Sequence, residues 1–362
     1  MDRLPAELLT YTADLVEFPD LLSLSLTSKA LRSASAPSRL RVIKLRFASQ
    51  ERLSEAIAAW TAVLVQSGSF SYVHQLEILG EEYHSLGEFV DFAKLGMNSA
   101  QPLEPWKYSF VRDPRVVWPT DAPQWKELLG FIQSLPAIEH LLWASREQIP
   151  PCIVRYLHHL TPVCRLHMEN FRLDSLLVPR DQPVHISSAD LEIARSPALY
   201  SISKLEYTNV GGSRNFTDDA ILEMAAGAAP NLKRVHQSRR GPPGANYMTS
   251  GAPDSSVTEW PAGLVHSAFD LGSLEVLVLE GANAQHCLQT WSQHTDFTML
   301  KTLKVYETLS DDQLIWLTTH HAMKNLEELA IRGESLKTEG LILSLPPLTR
   351  LQLLGTNEEL QI

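Results

Sequence analysis

Apolar residues recur along this chain in two rhythms. Over residues 4–32, LPAELLTYTADLVEFPDLLSLSLTSKALR, the rhythm is helical. Leu8 and Leu15 lie about two helical turns apart with Tyr11 between them, which puts them on one face. Pro5 and Pro19 each suit a first helical turn, where the missing N–H has no intrahelical partner anyway. Leu22 and Leu26 sit at i and i+4, and Thr27 and Ser28 offer hydroxyl oxygens as N-caps for a third helix, Lys29 to Ala34. Leu4, Leu9, Leu21, Leu24 and Leu31 add to the count, and three short helices cannot turn all of these leucines inward. The surplus is predicted to dock on the following domain or on another protein.

From residue 41 onward the rhythm becomes Leu-x-x-Leu-x-Leu with substitutions. The clearest copies begin at Leu274, Leu300, Leu326 and Leu348, and their central leucines (Leu277, Leu303, Leu329, Leu351) are spaced by 26, 26 and 22 residues. Those periods suit leucine-rich repeats. Weaker copies begin at Val42, Val73, Ile138, Val163, Ile202 and Leu232, at irregular intervals. Each copy reads as a short strand whose second and third apolar positions point into one core, because alternate strand residues face opposite ways. One repeat cannot bury its own face, so neighbours must stack. Between strands, Ser310-x-x-Gln313 has capping-box spacing ahead of Leu314 and Leu317, with Asp311 and Asp312 in the first turn. Thr217, Asp218 and Asp219 repeat the idea before Ile221, Leu222 and Ala225. Two segments break the pattern: a proline-containing insertion near 97–124, and one near 238–262 that opens with the Gly/Pro-rich 238–256. A doubly wound α/β enzyme fits less well, because a βαβ unit needs about 30 residues or more. There is also no Gly-x-Gly-x-x-Gly after a strand and no Walker loop.

The opening Leu4-Pro5-x-Glu7-Leu8-Leu9, the later Asp20-Leu21-Leu22 and the closing Leu24-x-Leu26-x-Ser28-Lys29-x-Leu31-Arg32 together resemble an F-box in order and spacing. The degenerate repeats that follow are similar to those of fungal-type F-box/leucine-rich-repeat proteins. The resemblance implies a small helical unit that binds the Skp adaptor of a cullin–RING ubiquitin ligase, with Leu4, Pro5, Leu8, Leu9, Leu22 and Leu26 on that surface. The chain departs from the family at Thr12, usually Ile or Val, and at Leu31, often aromatic; both changes remove apolar bulk.

Charge and chemistry narrow the reading. Lys and Arg number 31 against 42 Asp and Glu, a net charge of −11, which disfavours the phosphate contacts of nucleic-acid binding. The basic run Arg39, Arg41, Lys44 and Arg46 reads as solvated charge on one short element. Three cysteines (Cys152, Cys164, Cys287) build no disulfide framework. No apolar run reaches membrane-spanning length, and the acidic start lacks a signal-like n-region. The expectation is a cytoplasmic or nuclear protein. His158-His159 and His320-His321 are adjacent pairs whose side chains diverge, so neither clamps a metal. No nucleophile elbow or cofactor motif appears.

These observations predict an α/β chain: a three-helix F-box-like hook at 1–40, then an irregular right-handed leucine-rich-repeat solenoid at 41–362 with strands on the concave face. The function expected is a non-catalytic, cofactor-free adaptor. It would hold Skp and its cullin complex by the hook and a protein substrate by the solenoid, without binding nucleic acid or membrane. Exposed strand positions are the substrate-binding candidates: Lys304, Tyr306, Glu328, Arg332 and Arg350. Tyr306, flanked by Lys304 and Arg332, has hot-spot chemistry. The alternative is a scaffold outside any ligase, with the hook as a structural cap.

Overall fold

The computed structural model describes residues 4–47, 49–80, 123–145, 147–160, 163–179, 184–207, 213–240, 271–280, 284–320, 323–332, 336–354 and 359–361. The insertion expected near 97–124 lies outside these residues apart from its last two positions, as does the one near 238–262 beyond Arg240. His321 and the side chains of His320 and Cys287 also lie outside them. The chain divides into two compact units, Met1–Cys152 and Ile153–Ile362.

The first unit opens with helices α1 (Ala6–Asp14), α2 (Phe18–Thr27) and α3 (Lys29–Leu40). Ser28 caps α3 as its sequence position predicts, its Oγ accepting from the Leu31 amide at 3.2 Å. The helix then runs past the expected Ala34 and through Pro37. Leu9, Leu31 and Ala34 form a small core, with Leu24 and Ala30 packed against it. Strand β1 (Val42–Phe47) follows at once, and the Arg41 carbonyl at the junction accepts from the amides of His74 and Gln75. Helix α4 (Gln50–Ser67) is capped by Ser49 and ends on Gly68 at φ 64°, the left-handed turn that glycine adopts without a Cβ penalty. Strand β2 (Gln75–Gly80), helix α5 (Pro123–Gln133) and strand β3 (His140–Ala144) complete the unit. β1, β2 and β3 pair in parallel, with Leu45, Ile78 and Trp143 in one register row. Trp143 packs 5.7 Å from the Trp125 ring of α5, while Leu79, Leu142 and Ala144 form a separate apolar cluster. β2 and β3 are thus buried on both faces.

The second unit begins within α6 (Pro151–Leu160). Strands β4 (Arg165–Met168), β6 (Leu199–Tyr207), β8 (Arg234–Arg240), β9 (Val276–Glu280), β10 (Thr302–Thr308), β11 (Glu328–Arg332) and β12 (Arg350–Leu354) pair in parallel in chain order. β13 (Glu359–Gln361) adds antiparallel to β12. β5 (Leu177–Pro179) and β7 (Ser213–Asn215) form their own antiparallel pair. Helices α7 (Ser188–Ala194), α8 (Thr217–Glu223), α9 (Ala284–His294), α10 (Asp311–His320) and α11 (Leu336–Ser344) lie between strands. Leu277, Leu303, Leu329 and Leu351 fall in one register row, as their spacing predicts. The first three are buried, as are Leu288, Trp291, Leu314, Leu317 and Leu341 from the helices.

The α/β class holds, but the expected architecture, a three-helix hook followed by a leucine-rich-repeat solenoid with a concave strand face, is corrected. Parallel strands are linked through whole helices, α4 alone having 18 residues. This is the βαβ connectivity that Rossmann-like and α/β-barrel-like folds share. The central strands β2, β3, β9 and β11 are buried almost continuously rather than at alternate positions, as parallel strands covered on both sides are. The N-terminal helices share one compact unit with β1–β3. Length misled the prediction: α10 and α11 are short enough, at 10 and 9 residues, to close a crossover well under the assumed minimum.

Candidate protein-interaction surfaces

On α1 and α2 the helical period divides the leucines. Leu9 is 4 % exposed and belongs to the small core, whereas its neighbour Leu8 is 50 % exposed. Leu4, Tyr11 and Leu15 are exposed on the same stretch as Leu8, and on α2 so are Leu22 and, at 76 %, Leu26. Pro5 is exposed at the N-cap of α1. Of the six residues predicted for an adaptor surface, Leu4, Pro5, Leu8, Leu22 and Leu26 are therefore open and Leu9 is internal. Thr12 turns its hydroxyl onto the Leu8 carbonyl at 2.7 Å, so it caps backbone where a branched aliphatic would add apolar surface. Leu31 fills the helical core instead of the surface.

The strand candidates are only partly open. Lys304 Nζ lies 3.2 Å from a Glu328 carboxylate oxygen, and both side chains are partly covered. Tyr306 is held in a charged surrounding; burial pushes its phenol up to about 12, with Glu280 and Glu328 adding and Arg350 opposing. Arg332 is exposed, but the register shifts after Val305, so it pairs with Thr308 rather than standing beside Tyr306. Val278, Glu280 and Ala330, which alternate along their strands with the inward-facing leucines, are buried as well.

Two polar clusters escaped prediction. Ser238 donates to one Glu280 oxygen at 2.9 Å, and His236 Nε2 lies 3.4 Å from the other. Lys204, 3 % exposed, pairs with Asp218 at the start of α8, and Gln237 donates to the same oxygen as the lysine, Asp218 Oδ1. Asp218 is thus more than a helix-start acid, and the buried Thr217 hydroxyl accepts from the Leu173 amide at 3.5 Å. A lysine inside an otherwise apolar strand rhythm was the available signal.

Candidate chemistry resolves into structure. His158 Nε2 contacts Ser196 Oγ at 2.9 Å, and burial lowers its pKa against the charge of Glu192. Burial pushes the Cys164 thiol up to about 12, which keeps it in the unreactive form. Among the described residues no group of ≥ 3 His, Cys, Asp or Glu is placed to hold a metal ion. None of their helices is long and apolar enough to cross a membrane. A scan against protein-family models and a search of the curated proteins both found no match for this chain.

Proposed function

We propose that this chain is a non-catalytic adaptor of a cullin–RING (SCF-type) ubiquitin ligase, acting in the cytoplasm or nucleus. Its N-terminal helices hold the Skp adaptor, and its C-terminal strand unit holds the protein to be ubiquitinated. The observation that carries this reading is the exposed row Leu8, Leu15, Leu22 and Leu26 on α1 and α2. Large apolar side chains left exposed on two short helices are costly to leave in water, and a protein contact is what covers such surface. The F-box resemblance of residues 4–32 names the contact. If the segment were a structural cap in a scaffold, that row would be the covered one, which favours the adaptor over the scaffold. The chemistry then lies elsewhere: the chain raises effective concentration and orients the substrate, and a partner supplies the thioester.

Coexpression of the full chain with Skp and a cullin, followed by size-exclusion chromatography, tests the assignment. Co-elution of all three supports it. A monodisperse chain eluting apart from Skp contradicts it.

A further inference from the structure

In this acidic protein, two arginines of the second unit that form no ion pair among the described residues converge on one tyrosine. Arg165 opens β4 and Arg234 opens β8, the two strands that flank β6. Their guanidinium carbons lie 4.7 and 5.7 Å from the centroid of the Tyr200 ring, which projects from β6 between them. Tyr200 sits where the β4–β6 register shifts, between Leu199, paired with Leu166, and Ser201, paired with His167. A bulge is rare between parallel strands and re-aims the side chain it carries. His167 contacts the ring edge-on at 5.6 Å, and its Nδ1 meets Ser201 Oγ at 2.7 Å, so the tyrosine is braced as well as displaced.

The neighbouring cations are committed. Lys301 lies 2.9 Å from Glu275, and Lys233 donates to the Ser273 carbonyl and hydroxyl at 3.1 and 2.6 Å. Among the described residues neither arginine forms an ion pair, and Arg234 Nε is shielded from solvent with no hydrogen-bond partner. A guanidinium over an aromatic face still presents its N–H edge to an anion.

We propose that Arg165, Tyr200 and Arg234 form a docking site for an acidic peptide segment, which rests on the adaptor reading and gives its substrate surface a chemistry. Both guanidinium carbons lie within 6 Å of one ring centroid and so no more than about 10 Å from each other, a span that two carboxylates of one segment can bridge. An extended polyproline-type segment repeats its face every third residue with a rise of about 9 Å. Glu-x-x-Glu matches the upper end of that span, one carboxylate per arginine.

The test uses the full chain and three labelled peptides in one Gly/Ser/Pro background: Glu-x-x-Glu, Gln-x-x-Gln, and one with a single phosphoserine. Fluorescence anisotropy at low salt should show the Glu peptide binding at least about tenfold more tightly than the Gln peptide, a gap that salt narrows. R165Q with R234Q should erase that gap, and R46Q, an exposed arginine of the first unit, should leave it intact. Equal binding of the Glu and Gln peptides, or an intact gap in the double variant, overturns the site. So does tighter binding of the single phosphoserine peptide. Unchanged thermal melting of each variant excludes misfolding. Skp binding measured on the same preparations separates the outcomes, since retained Skp binding with no peptide preference sinks only this inference.

Discussion

On α1 and α2 leucines stand in solvent, while on the strands of the second unit charged side chains stand inside. Leu26 is 76 % exposed and Lys204 is 3 % exposed, the reverse of what either side chain prefers alone. The two regions differ in who supplies the compensation. Lys204 finds Asp218 within its own unit, so its cost is met on folding. The leucine row finds nothing among the described residues; on the proposed reading its cost is met on binding Skp.

Removing the internal compensation is expected to give the largest effect. Asp218→Ala leaves the Lys204 ammonium buried and should destabilise the second unit by about 3–5 kcal/mol, measured by urea unfolding. Adding Lys204→Met should recover much of the loss. A loss as small as that of a surface substitution would mean that the pair is solvated and that the contrast fails.

The sharpest comparison lies between sequence neighbours. Leu9→Ala should cost about 2–5 kcal/mol by opening a cavity in the helical core. Leu8→Ala should change stability by about 0.5 kcal/mol or less and weaken Skp binding instead. If both act on stability alone, the row on α1 is structural.

At α10, the sequence signal and the structure agree completely. Ser310 N donates to Gln313 Oε1 at 2.7 Å and Gln313 N to Ser310 Oγ at 3.4 Å. Ser310→Ala should therefore cost about 1 kcal/mol of stability with no effect on partner binding.

The smallest effect is a pH dependence. Burial lowers the pKa of His158 from its unfolded value of 6.5, so the unfolded chain binds the proton more readily. The stability that His158 contributes is complete above pH 6.5 and is lost as pH falls through its lower folded value. His158→Gln should flatten the melting temperature across that acidic window and leave it unchanged above.

These cases mark what the sequence carried. Features set by nearest neighbours were legible: the Ser28 and Ser310 caps, and the leucine row of Leu277, Leu303, Leu329 and Leu351, whose register follows from spacing. The division of the leucines was half legible, because periodicity put Leu8 and Leu15 on one face but did not say that Leu9 turns inward. Long-range features were not. Lys204 and Asp218 meet because β6 and α8 pack together, and no local pattern announces a partner. The burial of Val278 and Ala330 depends on what covers the second side of the strands, which alternation cannot report. Tyr306 parts from Arg332 through a register shift after Val305 that no local signal marks.

A titration of Skp into the full chain decides whether the exposed leucines of α1 and α2 bind it. Wild type is compared there with Leu8→Asp/Leu22→Asp. Both leucines are about half exposed, so the double variant should fold normally. Wild type should bind submicromolarly, roughly −8 kcal/mol or better, and the variant should lose binding while keeping its melting temperature. Well-folded wild type that fails to bind Skp would contradict the adaptor reading.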